Sequence, residues 1–509
     1  MLPAALQTAV QARLRALASN QIVRRIWARD HTVWKPEPAE CADRLGWLTV
    51  HQQMFPRLPA FAALREELTA SGAETLLLLG MGGSSLAPEV MASAFGPQPG
   101  SLRLELLDST DPRQLAAVLE RIDLDRTVVT VSSKSGTTVE TRAQFAFFWN
   151  KLPNPGRYVV ITDPGTPLEA EAHRLGISRL VLNPPDIGGR FSALSCFGLL
   201  PAMLCGVDVP GLIGRLGPMV TACQESNDPE RNPGAWLGAV LAEAARAGRD
   251  KLTLILPHQV EALGHWIEQL IAESTGKHGV GILPVEGERI GPPPVYGSDR
   301  LFVACGPIDG LDELEAAGHP VVRLPAIGPL DLAAEFFRWE FATAVAGHIL
   351  GVNPFDQPNV EEAKRMARRL LAGETPDPAT PPPSDVLSSL RPGEYLAILA
   401  YLPRERATAA RLDRARHAFR DRLRAAVTVG FGPRYLHSTG QLHKGGPNTG
   451  VFLVVEEPPG VDYPVPGEAF TFGQLEAAQA RGDVAALLEH GRRVARLSLE
   501  ELESLAAAP

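Results

Sequence analysis

The sequence predicts an α/β protein built on two doubly wound parallel sheets, with helical N-terminal and C-terminal segments around them. Three observations carry this prediction. Short apolar runs at 75–79, 102–107, 127–131, 157–161 and 179–182 alternate with helical stretches, the pattern of strands joined by crossover helices. The alternation resumes with apolar runs at 252–256, 281–285 and 301–304 and a helical pattern at 262–274. Two loops dense in glycine and hydroxyl side chains each follow a strand and open a helix, where doubly wound sheets bind ligands.

Taken in order, residues 1–70 read as a helical segment anchored by Trp27, Trp34 and Trp47. Arg13 and Arg15 interrupt its first apolar pattern, so an amphipathic helix is expected there and not a secretory leader. Residues 71–205 form the first sheet domain and 206–372 the second. The longest uncharged stretch, 191–207, contains Ser192, Ser195 and Pro201, and reads as a buried core helix and not a membrane span. The Pro-rich run at 373–385 reads as a stiff linker. Residues 386–509 form a mixed C-terminal segment, with strands near 396–400 and 451–455 and helices between and after them. The two sheet blocks read as two copies of one architecture.

At 509 residues the chain is too long for one ordinary core. A composition 45% apolar and 21% charged is that of a soluble globular protein. A net charge of −9 argues against a nucleic-acid partner, and leaves an anionic small molecule open because site potential is local. The five cysteines are scattered without metal-ligand or disulfide spacing, as expected of buried thiols in a reducing, cytoplasmic setting. No HxxxH pair or Cys/His cluster occurs, so neither metal nor cofactor is expected. Lysine is scarce, and Lys134, Lys277, Lys364 and Lys444 all fall in the motifs below.

The second loop, Ser133-Lys134-Ser135-Gly136-Thr137-Thr138, combines hydroxyls, a lysine and the start of a helix at 139–149. Unpaired backbone N–H groups and the helix dipole make such a turn an anion cradle. Helix capping needs one hydroxyl, and this turn carries far more. Its side chains hold a ligand and offer no base to transform one. The first loop, Gly80-Met81-Gly82-Gly83-Ser84-Ser85, fits GxGxx with Ser85 where a third glycine would stand, and Asp108 ends the next strand. Together those two features also allow a nicotinamide-binding reading. Two phosphate-type turns in one sheet suit a small phosphorylated ligand better.

These loops resemble those of the sugar isomerase (SIS) domain, and the chain is similar to the glucose-6-phosphate isomerase family over most of residues 25–365. The motifs are Gly-Met-Gly-Gly-Ser-Ser (80–85), Ser-Lys-Ser-Gly-Thr-Thr (133–138), Gly-Gly-Arg-Phe-Ser (188–192), Glu-Ser-Thr-Gly-Lys (273–277) and Asn-Pro-Phe-Asp-Gln (353–357), with Lys364 beyond. The likeness is greatest to the isomerase half of bacterial fusions with transaldolase; no transaldolase half precedes it, so no aldolase chemistry is expected. The resemblance implies two SIS-like sheets, a hexose 6-phosphate substrate, no cofactor, no membrane and a homodimer. It also leaves a broader sugar-phosphate isomerase, accepting mannose 6-phosphate as well, and a non-catalytic SIS module as alternatives.

An aldose–ketose isomerase needs one base that moves a proton between C2 and C1, and groups that steady charge on the oxygens. The resemblance assigns the base to Glu273, the enediolate-stabilising group to Arg190, and substrate contacts to Gln269, Gln357, Gly82, Gly83, Ser84 and Gly189. It makes Ser133, Lys134, Ser135, Thr137 and Thr138 the phosphate contacts. Read without it, Glu273 is a helix-end carboxylate, Arg190 a capping or ion-pairing arginine and Lys364 a helix lysine.

The family also uses a histidine to open the sugar ring, placed between its Glu and Phe-Asp-Gln motifs. Here that interval holds His319 in Gly318-His319-Pro320, which does not match, and His348 just beyond it reads as a packed core residue. Far downstream, Tyr435-Leu436-His437-Ser438-Thr439-Gly440-Gln441 resembles the Leu-His-Ser-Met-Gly-Gln segment that carries that histidine in bacterial isomerases. The resemblance therefore gives ring opening to His437, with Lys364 as helper, from a segment moved in chain order. A structural histidine is the plain alternative, and His443 and Lys444 are nearby substitutes.

Overall fold

The computed structural model describes residues 2–224, 228–359, 365–367, 369, 371 and 377–508. Three parallel sheets organise the chain. The first contains β1 (Thr75–Leu79), β2 (Arg103–Leu107), β3 (Thr127–Ser132), β4 (Tyr158–Thr162) and β5 (Leu180–Leu182), in the order β2-β1-β3-β4-β5. The second contains β6 (Lys251–Ile255), β7 (Leu283–Val285), β8 (Arg300–Cys305) and β9 (Val321–Leu324), in the order β7-β6-β8-β9. The third contains β10 (Tyr395–Tyr401), β11 (Ala426–Phe431), β12 (Gly450–Glu456) and β13 (Arg493–Leu497), in the order β11-β10-β12-β13. Each sheet places its first strand between its second and third, and every pairing is parallel.

The C-terminal segment is therefore a third sheet domain, where a mixed segment is expected from sequence. Its edge strands are the reason. β11 and β13 flank the sheet, and β13 carries Arg493 and Arg496, which pair with Glu394 and Glu456. Such a strand lacks the apolar run of a central one. β9, at the edge of the second sheet, escapes the sequence pattern in the same way. By contrast β1, β3 and β10 are buried along their whole length, as strands covered on both faces must be.

The N-terminal helices close the core between the first two domains. The Trp27 and Trp34 indoles donate to Cys223 O and Ala344 O, each at 2.7 Å, and Trp47 is fully buried against Phe191. The helix Leu332–Leu350 is buried nearly all round, as a central helix should be. Of the Pro-rich linker, residues 373–376 lie outside the described set. Beyond them, Asp377 and Thr380 bond Arg496 of β13, so the chain there lies along the third domain. That domain packs one face on the second, through Ala272, Leu283 and Tyr395. It also reaches the first, where Phe472 meets Phe147 at 5.7 Å.

Candidate active site

The two loops leave the first sheet side by side, because β1 and β3 are neighbours with Leu79 opposite Val131. Ser132 Oγ donates to Ser84 O at 2.9 Å and ties them together. Within the second loop the hydroxyls organise one another. Gly136 N donates to Ser133 Oγ at 3.1 Å, Ser133 and Thr138 hydroxyls lie 3.2 Å apart, and Thr137 donates to Ser135 Oγ through N (3.2 Å) and Oγ1 (2.9 Å). The helix Val139–Lys151 then starts from this turn. The Lys134 ammonium is ion-paired with Asp163 and reaches Pro185 O at 3.3 Å.

The first loop is wedged between three other segments. A Cβ on Gly82, whose φ is +54°, would lie 2.6 Å from Gln269 Nε2 and 3.0 Å from His437 O. One on Gly83 would lie 2.0 Å from Gly189 O. Only glycine lets these backbones approach. Ser84 ends the short helical turn Gly82–Ser84.

The helix Leu263–Thr275 buries Leu263, Trp266, Ile267, Leu270 and Ile271. Gln269 and Glu273 are four residues apart and share a face. Gln269 Nε2 donates to Glu273 Oε2 at 3.3 Å and to His437 O at 2.7 Å, while Gln269 Oε1 is buried without a partner. Arg190, 2% exposed, sets Nη1 3.6 Å from Glu273 Oε1. It donates to Ser274 Oγ (2.8 Å), Gln357 Oε1 (3.1 Å), Pro354 O (2.6 Å) and Asp356 O (2.8 Å). Burial pushes the Arg190 guanidinium down from its ordinary range, opposed by Glu273 and Asp356. Lys277 is fully buried and donates to Asn353 O (2.5 Å), Asp356 O (2.5 Å) and Asp356 Oδ1 (2.7 Å). Burial pushes its ammonium down to about 7, and Arg190 pushes the same way. Gln357 is brought to this cluster; Lys364 lies outside the described residues.

His437 stands on the turn Arg434–His437 that follows β11. Its Nε2 lies 3.0 Å from Glu140 Oε1, and Gln479 Nε2 donates to the same oxygen at 2.7 Å. Thr110 Oγ1 in turn donates to Gln479 Oε1 at 2.6 Å. Ser438 Oγ donates to Glu268 Oε1 at 3.2 Å, so consecutive residues of the helix Leu263–Thr275 hold consecutive residues of the turn. A cavity of about 620 Å³ flanks His437, lined among others by Thr137, Glu140, Gln479, Val465 and Phe470. Asp108, the acid of the nicotinamide reading, is 2% exposed and ion-paired with Arg434 of the third domain. The other histidines weighed for ring opening are engaged elsewhere: His443 with Tyr395 Oη at 3.0 Å, His348 with Val33 O at 2.7 Å, and His319 among Tyr296 and Phe302. Lys444 pairs with Asp483 at 2.5 Å.

Sequence reasoning missed Glu140, Gln479, Glu268 and the placement of Lys277. Glu140 had a readable signal, an acid in the first turn of the helix after the anion cradle. Gln479 and Glu268 had none, since their partners are 170 or more residues away.

Residues 66–280 match the phosphoglucose isomerase family. A glucose-6-phosphate isomerase of Rubrobacter xylanophilus is 31% identical over 393 residues, covering 63% of this chain and 90% of the relative. Among solved structures, a hypothetical protein of Thermus thermophilus matches with a TM-score of 0.62 and 26% identity, over 73% of this chain and all of the other. A glucose-6-phosphate isomerase from Chlamydia trachomatis shares the fold, with a TM-score of 0.58 and 19% identity over 72% of this chain and 87% of its own. With a hydroxyl-rich turn at the edge of the first sheet, a buried Glu273–Arg190 pair and relatives of this identity and coverage, the chain belongs to the phosphoglucose isomerase family.

Proposed function

We propose that this chain interconverts glucose 6-phosphate and fructose 6-phosphate by ring opening and enediol proton transfer. The observation that carries the reading is the buried pair of Glu273 and Arg190, 3.6 Å apart, beside a glutamine whose Oε1 has no protein partner. A carboxylate and a guanidinium in that relation suit a proton removed from carbon and negative charge left on the adjacent oxygens.

The 6-phosphate is held by the backbone and hydroxyls of 133–138 and by Ser84, at the positive end of the helix Val139–Lys151. Gly82, Gly83 and Gly189 let main chain approach the sugar. His437, oriented by Glu140, protonates the ring oxygen as the C1 hydroxyl loses its proton, which opens the ring; Lys364 is the helper assigned by sequence. Glu273 removes the C2 proton to give the enediolate and returns it to C1, while the proton on O2 passes to O1, so no proton is gained or lost overall. Arg190 stabilises the enediolate, and Gln269 Oε1 accepts from a sugar hydroxyl. His437 O accepts from Gln269 Nε2 on the helix that carries Glu273, so on this reading the ring-opening acid and the C2 base come from one chain.

The test is incubation of fructose 6-phosphate in deuterated water. Product glucose 6-phosphate carrying deuterium at C2, formed by the wild type and absent with Glu273→Gln, is the expected result. Absence of isomerisation by the wild-type chain overturns the reading. Mannose 6-phosphate in the same assay reports whether the stereochemistry at C2 is read strictly.

A further inference from the structure

Lys277 has no part in the proton transfers above, yet its environment is the most demanding in the site. It stands two residues past the helix Leu263–Thr275 that carries Glu273. Its side chain is 0% exposed, and all three of its polar contacts are oxygens of the 353–356 turn. An ammonium has three donors and no acceptor, so this set satisfies it fully.

The turn itself is fixed from outside. Asn353 Nδ2 donates to Glu40 O at 3.0 Å, Asn353 Oδ1 accepts from Phe355 N at 3.1 Å, and Phe355 packs edge-on against Trp34 at 4.9 Å. Its carbonyls point inward to two cations. Pro354 O and Asp356 O take Arg190, while Asn353 O and Asp356 O take Lys277. Asp356 O is thus shared, at 2.8 Å from Arg190 Nη2 and 2.5 Å from Lys277 Nζ. Two buried cations face two acids, Glu273 and Asp356. Removing one partner of such a buried set leaves the others under-satisfied.

We propose that Lys277 is a positioning residue for Arg190. Its ammonium fixes the 353–356 turn to the end of the base-bearing helix and, through the shared Asp356 carbonyl, sets where the guanidinium stands relative to Glu273. This deepens the proposed function and rests on it. An Arg190 that is present but displaced still admits a ground-state sugar. It loses its preference for the planar, charged intermediate, because only transition-state interactions raise kcat.

The experiment compares wild type with Lys277→Met, using a hexitol 6-phosphate as ground-state ligand and the hydroxamate of a five-carbon sugar-acid phosphate as enediolate mimic. The expected result is a kcat lower by about 30-fold and a hydroxamate affinity lower by at least about tenfold, with hexitol 6-phosphate bound within about threefold of wild type. Where Lys277→Met does not fold, Asp356→Asn keeps the turn carbonyls and removes one ammonium acceptor. It is expected to reduce hydroxamate affinity by about fivefold with the hexitol unaffected. Unchanged hydroxamate binding, or parallel loss of both ligands, overturns the proposal. A wild-type chain that does not isomerise overturns the function instead, and the ratio of the two affinities still reads the positioning role.

Discussion

The turn at 133–138 and the turn at 434–437 deliver side chains to the same cleft and are held in opposite ways. The first is stitched by its own residues: Ser133, Ser135, Gly136, Thr137 and Thr138 bond one another across two to five positions. The second ends in His437 and Ser438, whose partners Gln269, Glu268 and Glu140 stand 168, 170 and 297 positions away. The side-chain bonds of the first are closed mostly within the turn. The second closes local backbone bonds, Leu436 N to Pro433 O and Ser438 N to Tyr435 O, but its side chains find their partners only where three domains meet. On the proposed reading, the difference separates grip from chemistry: binding is built into one turn, and turnover depends on an assembly.

The largest expected break in that contrast is His437→Ala. It should lower isomerisation of glucose 6-phosphate by about 100-fold through loss of ring-opening acid–base catalysis. Each product molecule should still acquire solvent deuterium, because Glu273 is intact; an unaffected rate removes His437 from the mechanism. Next comes Gln479→Leu, which strips one donor from the Glu140 oxygen that faces His437. A roughly tenfold fall in kcat with KM unchanged is expected, since linked buried hydrogen bonds act together; steady-state kinetics on both sugar phosphates check it. Ser135→Ala probes the opposite side of the comparison. It should raise KM about fivefold at constant kcat, the signature of lost uniform binding, and an equal loss in kcat would show that the turn does more than grip.

The smallest effect is on stability. Burial pushes the Glu268 carboxyl up to about 8, and Glu286 pushes the same way, while His265, Ser438 and Arg434 oppose. A folded-state value above the unfolded one gives stability fully present below the unfolded carboxylate value and lost as pH rises through about 8. Glu268→Gln is neutral throughout and can still bond Ser438. Its Tm should exceed that of wild type by about 2 °C at pH 9, with the gap shrinking toward pH 5 in thermal-melt measurements.

The same contrast explains what sequence could read. The anion cradle was legible because its partners are neighbours in the chain, and central strands such as β1 and β3 were legible because burial on both faces demands unbroken apolar runs. The edge strands β9, β11 and β13 were not, since an edge tolerates Arg323, Gly430 or Arg493. Hence the sequence does not announce the third sheet, although its centre, β10 and β12, carries apolar runs. Glu273, Arg190 and Gln357 could be named by resemblance, but no local pattern indicates that one turn offers its carbonyls to two cations. The engagement of Lys134 by Asp163 likewise depends on a neighbouring strand end and not on the motif that contains it.

Arg434 bridges Glu89 and Asp108 of the first domain and stands three residues before His437. The clamp gives the molecule an order of competence during synthesis. Domains generally fold as units, the N-terminal ones first as the chain emerges, and residues 426–437, which carry Arg434 and His437, emerge after both acids of the clamp. On the proposed reading a nascent chain can capture sugar phosphate before it can open the ring. The pairing of Arg434 with Glu89 and Asp108 is, on the same reading, what holds His437 up to the first domain.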